Sequence, residues 1–316
     1  MNITLITPGS AQTISGNRIT ALRIGRILKQ LGHRLAIQEQ YDDKPCDLMI
    51  ALHALRSFES IKKFKDKYPD LPLIVVLTGT DLYHYIHTDS NAQQSLELAT
   101  RLVVLQERAL DELEKRFHIK TRVIYQSATR MRRKAARSAD EFKVCVIANL
   151  RPEKDPLRTA IAARKLPASS RVKVVHIGRA LDARLEKAAL AEIERNPRYC
   201  WPGELSHREA RLLLASSHLL SITSRMEGSS NALCEALASS VPVVASKIPG
   251  LVGTLGEDYP GYFPAGDTRA LTRLLWRAES EAEFYRQLEE HCARRAPLVD
   301  PLRERDCWQR LIQELS

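Results

Sequence analysis

Apolar residues along the chain fall into two alternating kinds of segment. Short apolar runs at 3–7 and 46–54 predict buried strands, and each run is followed by a turn. Residues 18–32 instead carry apolar side chains three and four positions apart, which predicts a helix that Gly32 ends. Strand and helix continue to alternate, and this order predicts an α/β fold built on doubly wound parallel sheets.

The same two patterns run through residue 127 and begin again at residue 143. In the first half, further strands are predicted at 33–39, 71–81, 101–106 and 121–127, and helices at 56–69, 93–99 and 107–117. In the second half, strands are predicted at 143–150, 171–181, 199–205, 218–224 and 242–246, with helices between them, a helix pair from Thr268 and a terminal helix at 301–315.

Residues 128–141 interrupt the alternation and predict a boundary between two domains. Five of the eight residues from 130 to 137 are basic, and large apolar residues are nearly absent. We expect one Rossmann-like domain at 1–138, onto which a terminal helix at about 298–316 packs back, and a second at 139–297. Ligands of such sheets bind at the carboxyl ends of the strands, so the expected site is a central cleft that both domains face.

The charge of the chain favours anionic ligands. The formal net charge is +10 and the isoelectric point is near 9.4, which suits nucleic acid, membrane lipid or phosphorylated small molecules. The six cysteines form no C-x-x-C pair and are predicted to be buried, reduced thiols. The sequence has neither a signal-peptide pattern nor a run of ~20 apolar residues, so we expect a cytoplasmic protein without a membrane anchor.

The segment 224–246 holds two glutamates around a group of helix-capping residues. Glu227 and Gly228 follow the strand predicted at 218–224, and Glu235 lies about one turn into the next helix. The first N–H groups of that helix suit a diphosphate, and the two carboxylates suit hydroxyls at the two ends of a polyol. Three residues between the glutamates favour the N-cap position: Ser229, Ser230 and Asn231. The plainer alternative is a capped helix beside two solvated glutamates.

This segment resembles the nucleotide-binding half of GT-B glycosyltransferases of the family-4 type. Glu227 and Glu235 match the E-x7-E motif of that family, and SVPVVASKIPGL and GYFPAGDTRALTRLL match the motifs that follow it. The resemblance spans residues 143–276 and implies a GT-B fold and transfer of a sugar from a nucleotide donor. It departs from the family at Gly253, where a glutamate is usual.

The resemblance also implies a set of donor-binding residues. Glu235 would hold the ribose hydroxyls, and Glu227 would contact the donor sugar. In the loop ANLRPEKDP, Lys154 falls on the lysine that binds the donor diphosphate, and Arg151 would substitute for the arginine that Asn149 replaces. Further donor contacts are expected from Gly16, Asn17, Gly178, Arg179, Gly228, Ser229, Ser230, Asn231, Ala232 and Leu233.

The N-terminal half would bind the acceptor. His53 ends the strand at 46–54 and is the histidine that we expect near the reacting groups, together with Lys154, Arg151 and Glu227. Further acceptor contacts are expected from Arg18, Thr20, Arg56, Thr78, Thr80, Asp81, Ser127 and Arg130. The plainer alternatives are an ordinary helix start at 16–18 and a solvated charge run at 130–137.

Shorter motifs over nearly the whole chain resemble the selenosugar synthases of selenoneine biosynthesis. They include LHALRS at 52–57, LTGTDLY at 77–83, YQSA at 125–128 and NLRPEKDP at 149–156. This resemblance implies that a sugar, typically N-acetylglucosamine, passes from a UDP-sugar to selenophosphate, giving a 1-selenosugar, UDP and phosphate. It also implies a functional link to the other enzymes of selenoneine biosynthesis.

The acceptor that this resemblance implies fits the charges. Selenophosphate is anionic and strongly nucleophilic, so it needs cationic clamps more than a general base. Arg18, Arg56, Arg130 and Lys154 are candidate clamps, and Asp81 is the one N-terminal carboxylate that the sequence singles out. No cofactor is expected: the sequence has no Asp-x-Asp pair, and magnesium is compatible with the resemblance but not implied by it.

Two alternatives account for the same charges. A conventional family-4 O-glycosyltransferase would act on a glycan or lipid acceptor, and its basic helix at 56–67 would dock on an anionic membrane. A more remote alternative is a nucleic-acid-binding protein that uses the patch at 130–137, although the chain carries no recognised nucleic-acid motif. The sequence leaves open the sugar preference, retention or inversion at the anomeric carbon, and the oligomeric state.

Overall fold

The structure, a computed structural model, describes residues 1–9, 16–131 and 140–315. Its contacts divide the chain into two units. The first unit holds Met1–Gln126, Glu227–Ser229 and Pro301–Ser316, and the second holds Ser127–Met226 and Ser230–Asp300. Residues 132–139, which carry most of the predicted linker, lie outside the described residues.

The first unit alternates strand and helix from its first residues. Its strands are β1 Asn2–Ile6, β2 Arg34–Gln38, β3 Leu48–Leu52, β4 Leu73–Val76, β5 Arg101–Val104 and β6 Thr121–Val123. Its helices up to residue 126 are α1 Gly16–Gln30, α2 Phe58–Lys67, α3 Ile86–Thr88, α4 Ser90–Leu98 and α5 Lys115–His118, with a π-helical turn at Asp81–Tyr85 and a 3₁₀ turn at Glu107–Glu112.

The strands of the first unit form one parallel sheet in the order β2-β1-β3-β4-β5-β6. Every residue of β3 and β4 is buried, as expected for strands covered on both faces. The strand order changes direction between β1 and β3. Ligands of open α/β sheets bind at the carboxyl ends of the strands where the order changes in this way.

The second unit repeats this construction. Its strands are β7 Phe142–Ile147, β8 Val172–Ile177, β9 Tyr199–Gly203, β10 Leu219–Ile222, β11 Val243–Ser246 and β12 Tyr262–Phe263. Its helices are α6 Arg158–Ala163, α7 Ala183–Arg195, α8 His207–Ser216, α9 Asn231–Ala238, α10 Pro249–Leu255, α11 Thr268–Ser280 and α12 Ala282–Arg295, with 3₁₀ turns at Pro152–Lys154 and Ala296–Val299.

The second sheet is also parallel and has the order β12-β11-β10-β7-β8-β9, which is the strand order of the Rossmann fold. Its direction changes between β7 and β10. The loop after β7 carries Asn149, Arg151 and Lys154, and the loop after β10 leads to α9. Two sequence motifs that lie about 75 residues apart thus reach one edge of one sheet.

The last helix, α13 Pro301–Gln313, packs into the first unit. Its residues Trp308, Leu311 and Ile312 are buried in the same apolar cluster as Ile3 and Leu5 of β1. This confirms the expectation that the C-terminal helix packs back onto the N-terminal domain, and the two parallel six-stranded sheets confirm the predicted doubly wound α/β fold.

The continuous helix predicted at 107–117 is wrong. Leu113 adopts extended backbone angles between the 3₁₀ turn and α5, and its side chain is buried in the core with Ala109 and Phe117. Tertiary packing of these three side chains therefore overrides the local helical pattern. The prediction that all six cysteines are buried is also wrong, because Cys200 is exposed on β9 and Cys307 is half-buried. Within the described ranges no helix has the length and apolar character that a membrane crossing requires.

Candidate active site

The ends of β7 and β8 are in close backbone contact. A Cβ on Gly178 would lie 1.9 Å from the carbonyl oxygen of Ala148, so this position accepts only glycine without a backbone shift. Beyond it, Asn149 Oδ1 accepts a hydrogen bond from the backbone N–H of Arg179 at 3.0 Å. The Asn149 side chain therefore braces the two loops, and the backbone of Leu150 pairs with Ala180 to extend the contact.

Three aromatic residues support this contact from within the second unit. His176 Nε2 donates to the carbonyl oxygen of Ala148 at 2.8 Å, and its Nδ1 accepts from the Tyr199 hydroxyl at 2.8 Å. Burial lowers the pKa of His176 to about 4, so the ring is neutral at physiological pH. Trp201 Nε1 donates to the carbonyl oxygen of Gly178 at 2.9 Å. The start of the loop after β7 is thereby fixed in position.

Lys154 ends the 3₁₀ turn in that loop and is half-buried. Its carbonyl oxygen and that of Asp155 accept from Thr223 Oγ1, at 3.1 and 2.9 Å. The backbone N–H of Arg225 donates to the carbonyl oxygen of Glu153 at 2.8 Å. The loop after β10 therefore holds the loop that carries Lys154.

The side chains around this loop are mostly paired. Asp155 adopts a left-handed φ of 44°, and its Oδ2 pairs with Arg158 Nη2 at 2.8 Å and accepts a hydrogen bond from Arg158 Nε at 2.9 Å. Arg151 Nη1 lies 3.3 Å from Glu153 Oε1, but its Nε is buried without a hydrogen-bond partner among the described residues. A buried N–H that lacks a partner is costly, and a ligand oxygen would satisfy it.

Helix α9 begins at the carboxyl end of β10. Ser230 is its N-cap and accepts the backbone N–H of Leu233 at 3.4 Å. The backbone N–H of Ala232 lies in the first turn, where N–H groups have no acceptor within the helix. Together with the positive end of the helix dipole, this arrangement favours an anion. Of the two neighbouring cap candidates, Asn231 is the first helical residue and Ser229 precedes the cap.

Glu235 lies on α9 and is paired with two residues that the sequence analysis missed. His207 Nε2 lies 2.6 Å from Glu235 Oε1, and Arg211 Nε lies 3.9 Å from the same oxygen. Both partners belong to α8, four residues apart. Sequence spacing does not identify these partners, because α8 meets Glu235 only through tertiary packing.

In the first unit, His53 follows β3 and is 2% exposed. Its Nδ1 accepts the backbone N–H of Arg56 at 3.2 Å, which leaves Nε2 as the donor to Thr80 Oγ1 at 2.9 Å. Burial lowers the pKa of His53, and the nearby Arg56 lowers it further against the opposing effect of Asp81. The residue has a left-handed φ of 72°, a backbone strain that is typical of functional sites.

Asp81 is fully buried and bonded to backbone. One carboxylate oxygen accepts from the N–H groups of Thr78 and Gly79 at 2.9 and 2.8 Å, and the other accepts from Ala54 at 3.0 Å. The carboxylate therefore fixes the loops after β3 and β4 relative to each other. The same loops hold Thr78 and Thr80, both half-buried.

The segment Glu227–Ser229 belongs to the first unit. A Cβ on Gly228 would lie 2.2 Å from the carbonyl oxygen of Thr78 and 2.8 Å from the backbone nitrogen of Gly79. Because Gly228 has no side chain, the backbone of Thr78 and Gly79 can pack closely against it. Glu227 is 9% exposed beside it.

The candidates at the start of α1 differ in their surroundings. Gly16 is exposed, and Asn17 and Arg18 are half-buried in the first turn. Thr20 is buried and donates to Gln126 Oε1 at 2.9 Å, which also accepts from Arg23 at 2.6 Å. Thr20 therefore belongs to a polar network inside the first unit.

The remaining acceptor candidates differ in exposure and in the unit to which they belong. Arg56 is exposed just before α2. Ser127 and Arg130 belong to the second unit, where Ser127 is buried and Arg130 is exposed. Across the described ranges, no three His, Cys, Asp or Glu residues are grouped closely enough to hold a metal ion.

Comparison with known proteins agrees with this architecture. The family model for glycosyl transferases group 1 matches residues 127–295. The sucrose-phosphate synthase of Thermosynechococcus elongatus superimposes with a TM-score of 0.80 at 16% identity, covering 99% of this chain and 98% of its own. Anabaena HepE, in complex with UDP and glucose, gives 0.76 at 15% identity over 100% of both chains. A glycosyltransferase from Rickettsia africae gives 0.74 at 12% identity over 99% of this chain and 98% of its own. At these identities the structures establish a shared fold.

Proposed function

The chain belongs to the glycosyl transferases group 1 family, and on that premise we propose that it forms a carbon–selenium bond. It transfers the sugar of a UDP-sugar, UDP-N-acetylglucosamine, to selenophosphate and yields a 1-selenosugar, UDP and phosphate. The motifs LTGTDLY, YQSA and NLRPEKDP support this proposal.

The donor diphosphate binds between the loop after β7 and the start of α9. Lys154 supplies a positive charge, Arg151 Nε supplies a buried N–H without a partner among the described residues, and Ala232 supplies a first-turn N–H. Each of these groups complements a phosphate oxygen. Anabaena HepE, which shares the fold, is a UDP complex, and this supports UDP as the nucleotide.

The two glutamates take the hydroxyl groups of the donor. Glu235 accepts from the ribose, and Glu227 accepts from the transferred sugar. Both carboxyl groups belong to buried residues, at 8% and 9% exposure, so a hydrogen bond to either one is strengthened by low local polarity.

The support for selenophosphate as the acceptor comes from the hydrogen bonds of Asp81 and His53 in the first unit. The two candidate bases that follow β3 and β4 are already engaged: Asp81 accepts three backbone N–H groups, and His53 Nδ1 accepts the N–H of Arg56. A sugar hydroxyl requires a base to remove its proton, whereas selenophosphate is ionised before it binds. The engagement of Asp81 and His53 is the single observation that best supports such an acceptor.

Thr80 supplies a hydrogen-bond donor to the acceptor site. Because His53 donates to Thr80 Oγ1, the hydroxyl proton of Thr80 points elsewhere, and no described residue accepts it. Thr80 therefore offers a hydrogen-bond donor to its ligand. An oxygen of selenophosphate is a suitable acceptor for that proton.

The reaction balances with one water molecule. Selenium attacks the anomeric carbon, the bond from that carbon to the β-phosphate oxygen breaks, and the electron pair leaves with UDP. Lys154 and the N–H groups of α9 stabilise the charge that develops on the leaving diphosphate. Water then cleaves the phosphorus–selenium bond, releasing phosphate and a selenol at the anomeric carbon.

The proposal is tested by incubating the protein with UDP-N-acetylglucosamine and selenophosphate and analysing the products by mass spectrometry. We expect a selenosugar and UDP in equal amounts, and none of either when inorganic phosphate replaces selenophosphate. Release of UDP with a glycan or lipid acceptor, and not with selenophosphate, would instead identify a conventional O-glycosyltransferase. Salt-sensitive binding of nucleic acid without any response to UDP would identify the remote alternative.

A further inference from the structure

We propose that Arg211 and His207 are positioning residues that hold the Glu235 carboxylate for the nucleotide. The inference rests on the proposed function, because it takes Glu235 as the acceptor for the ribose hydroxyls. Arg211 lies outside the motifs on which the function was argued.

Both residues reach Glu235 from one face of one helix. His207 and Arg211 are four residues apart on α8, so their side chains lie on the same side of it. Both approach the same oxygen, Oε1, at 2.6 and 3.9 Å. No hydrogen bond to Oε2 is formed within the described residues, so Oε2 is the oxygen that remains for a ligand.

The opposite end of the Arg211 guanidinium is anchored. Its Nη2 donates to the backbone carbonyl of Thr129 and to Thr129 Oγ1, the latter at 3.0 Å. The Arg211 side chain is 13% exposed, and its Nε is buried without a hydrogen-bond partner among the described residues. Arg211 is therefore fixed by Thr129 while its remaining buried N–H lies next to Glu235.

This geometry fixes which oxygen of Glu235 meets the nucleotide. The Glu235 side chain is 10% exposed, and both α8 side chains approach it from one side, at Oε1. With Oε1 held, rotation of the carboxyl group is restricted and Oε2 is oriented before the ligand binds. Such preorganisation strengthens ribose binding without adding a contact between α8 and the ligand.

A double-mutant cycle on UDP affinity tests the inference. Calorimetry would compare the parent protein with Arg211→Ala, Glu235→Ala and the double variant. We expect Glu235→Ala to bind UDP about tenfold more weakly, since hydrogen bonds to charged groups contribute on this scale. Arg211→Ala should weaken UDP binding by a smaller factor, because its Nε lies 3.9 Å from the carboxylate. In the Glu235→Ala background, Arg211→Ala should have no further effect, because Arg211 acts through the missing carboxylate.

The matched control is Arg208→Ala, which removes the same charge from an exposed position of the same helix. It should leave the affinity for UDP unchanged. His207→Asn should weaken UDP binding and likewise lose its effect in the Glu235→Ala background. Steady-state kinetics distinguish a positioning role from a general loss of structure: Arg211→Ala should raise KM for the UDP-sugar with kcat nearly unchanged. Thermal unfolding should confirm that the variant is folded.

The outcomes distinguish the two proposals. Equal losses from Arg211→Ala with and without Glu235 would overturn the positioning role, as would unchanged UDP affinity in that variant, while the proposed function would stand. Absence of UDP binding to the parent protein, or full affinity in Glu235→Ala, would overturn the donor-site assignment and this inference with it.

Discussion

The carbonyl oxygen of Ala148 occupies the space beside Gly178 that any side chain at that position would need. The distance from a built Cβ to that oxygen is 1.9 Å, and the backbone nitrogen of Asn149 lies at 2.8 Å. The atoms that would have to move are backbone atoms of the loop that leads to Lys154. The close contact between the ends of β7 and β8 therefore also sets the position of the proposed diphosphate-binding loop.

Replacing Gly178 by Ala should therefore damage both stability and donor binding. We expect a loss of about 3 kcal/mol or more in the free energy of unfolding, because the clash is with backbone that cannot rotate away. Urea denaturation measures the loss, and calorimetry on the remaining folded protein measures UDP affinity. Gly203→Ala is the control: it has a φ of 83° but nothing within 4 Å of its Cβ, so it should cost only about 1–2 kcal/mol. Equal costs in the two variants would argue against the contact.

Replacing Lys154 by Ala should slow turnover by ~10²-fold, since the proposal directs its charge at the leaving diphosphate. Steady-state release of UDP measures the effect. Lys187→Ala removes the same charge from an exposed position on α7 and should leave kcat unchanged. A kcat for Lys154→Ala within twofold of the parent value would exclude this role.

Replacing Thr80 by Val should weaken selenophosphate binding, because it removes the hydroxyl that His53 orients while keeping the shape of the side chain. We expect KM for selenophosphate to rise by roughly tenfold or more, with KM for the UDP-sugar unchanged. Thr88→Val, at an exposed position of the same unit, should change neither constant. If both substrates were affected equally by Thr80→Val, an acceptor-specific role would be ruled out.

The neutral state of His176 predicts a dependence of stability on pH. Its pKa is about 4 in the folded protein and 6.5 in the unfolded chain, so the unfolded chain binds more protons between these values. Its contribution to stability is therefore complete above pH 6.5 and is lost as the pH falls towards 4, by about 3 kcal/mol in total.

His53 is also buried and contributes in the same direction, since burial lowers its pKa as well. The contribution of His176 is isolated by comparing the parent protein with His176→Gln, both unfolded in urea at several pH values. The difference in stability between them should shrink from pH 7 to pH 4. A constant difference across that range would mean that His176 does not titrate in this way.

Sequence patterns predicted the strands β1 to β11 and most helices because alternation and helical spacing are local properties. They failed where tertiary contacts decided the conformation. Residues 107–117 have a helical pattern, yet burial of Leu113 in an extended conformation divides the segment. The short strand β12 and the helix α10 were not predicted, because two and seven residues give too little periodicity to detect.

The candidate site divides in the same way. Motifs identified Lys154, Ser230 and Glu235, since these residues are near one another in sequence or belong to one known pattern. Sequence spacing did not identify His207 as the partner of Glu235, because the two are 28 residues apart and meet only through the packing of α8. Nor did it indicate that the Asp81 carboxylate accepts backbone N–H groups from two loops, a fact that depends on how these loops fold together.

A crystal structure of the protein with UDP tests the central claim most directly. The account predicts that the diphosphate lies at the first turn of α9 within hydrogen-bond distance of Lys154 Nζ, and that a ribose hydroxyl donates to Glu235. A uridine bound elsewhere on the protein, with Glu235 still in contact only with His207 and Arg211, would contradict it.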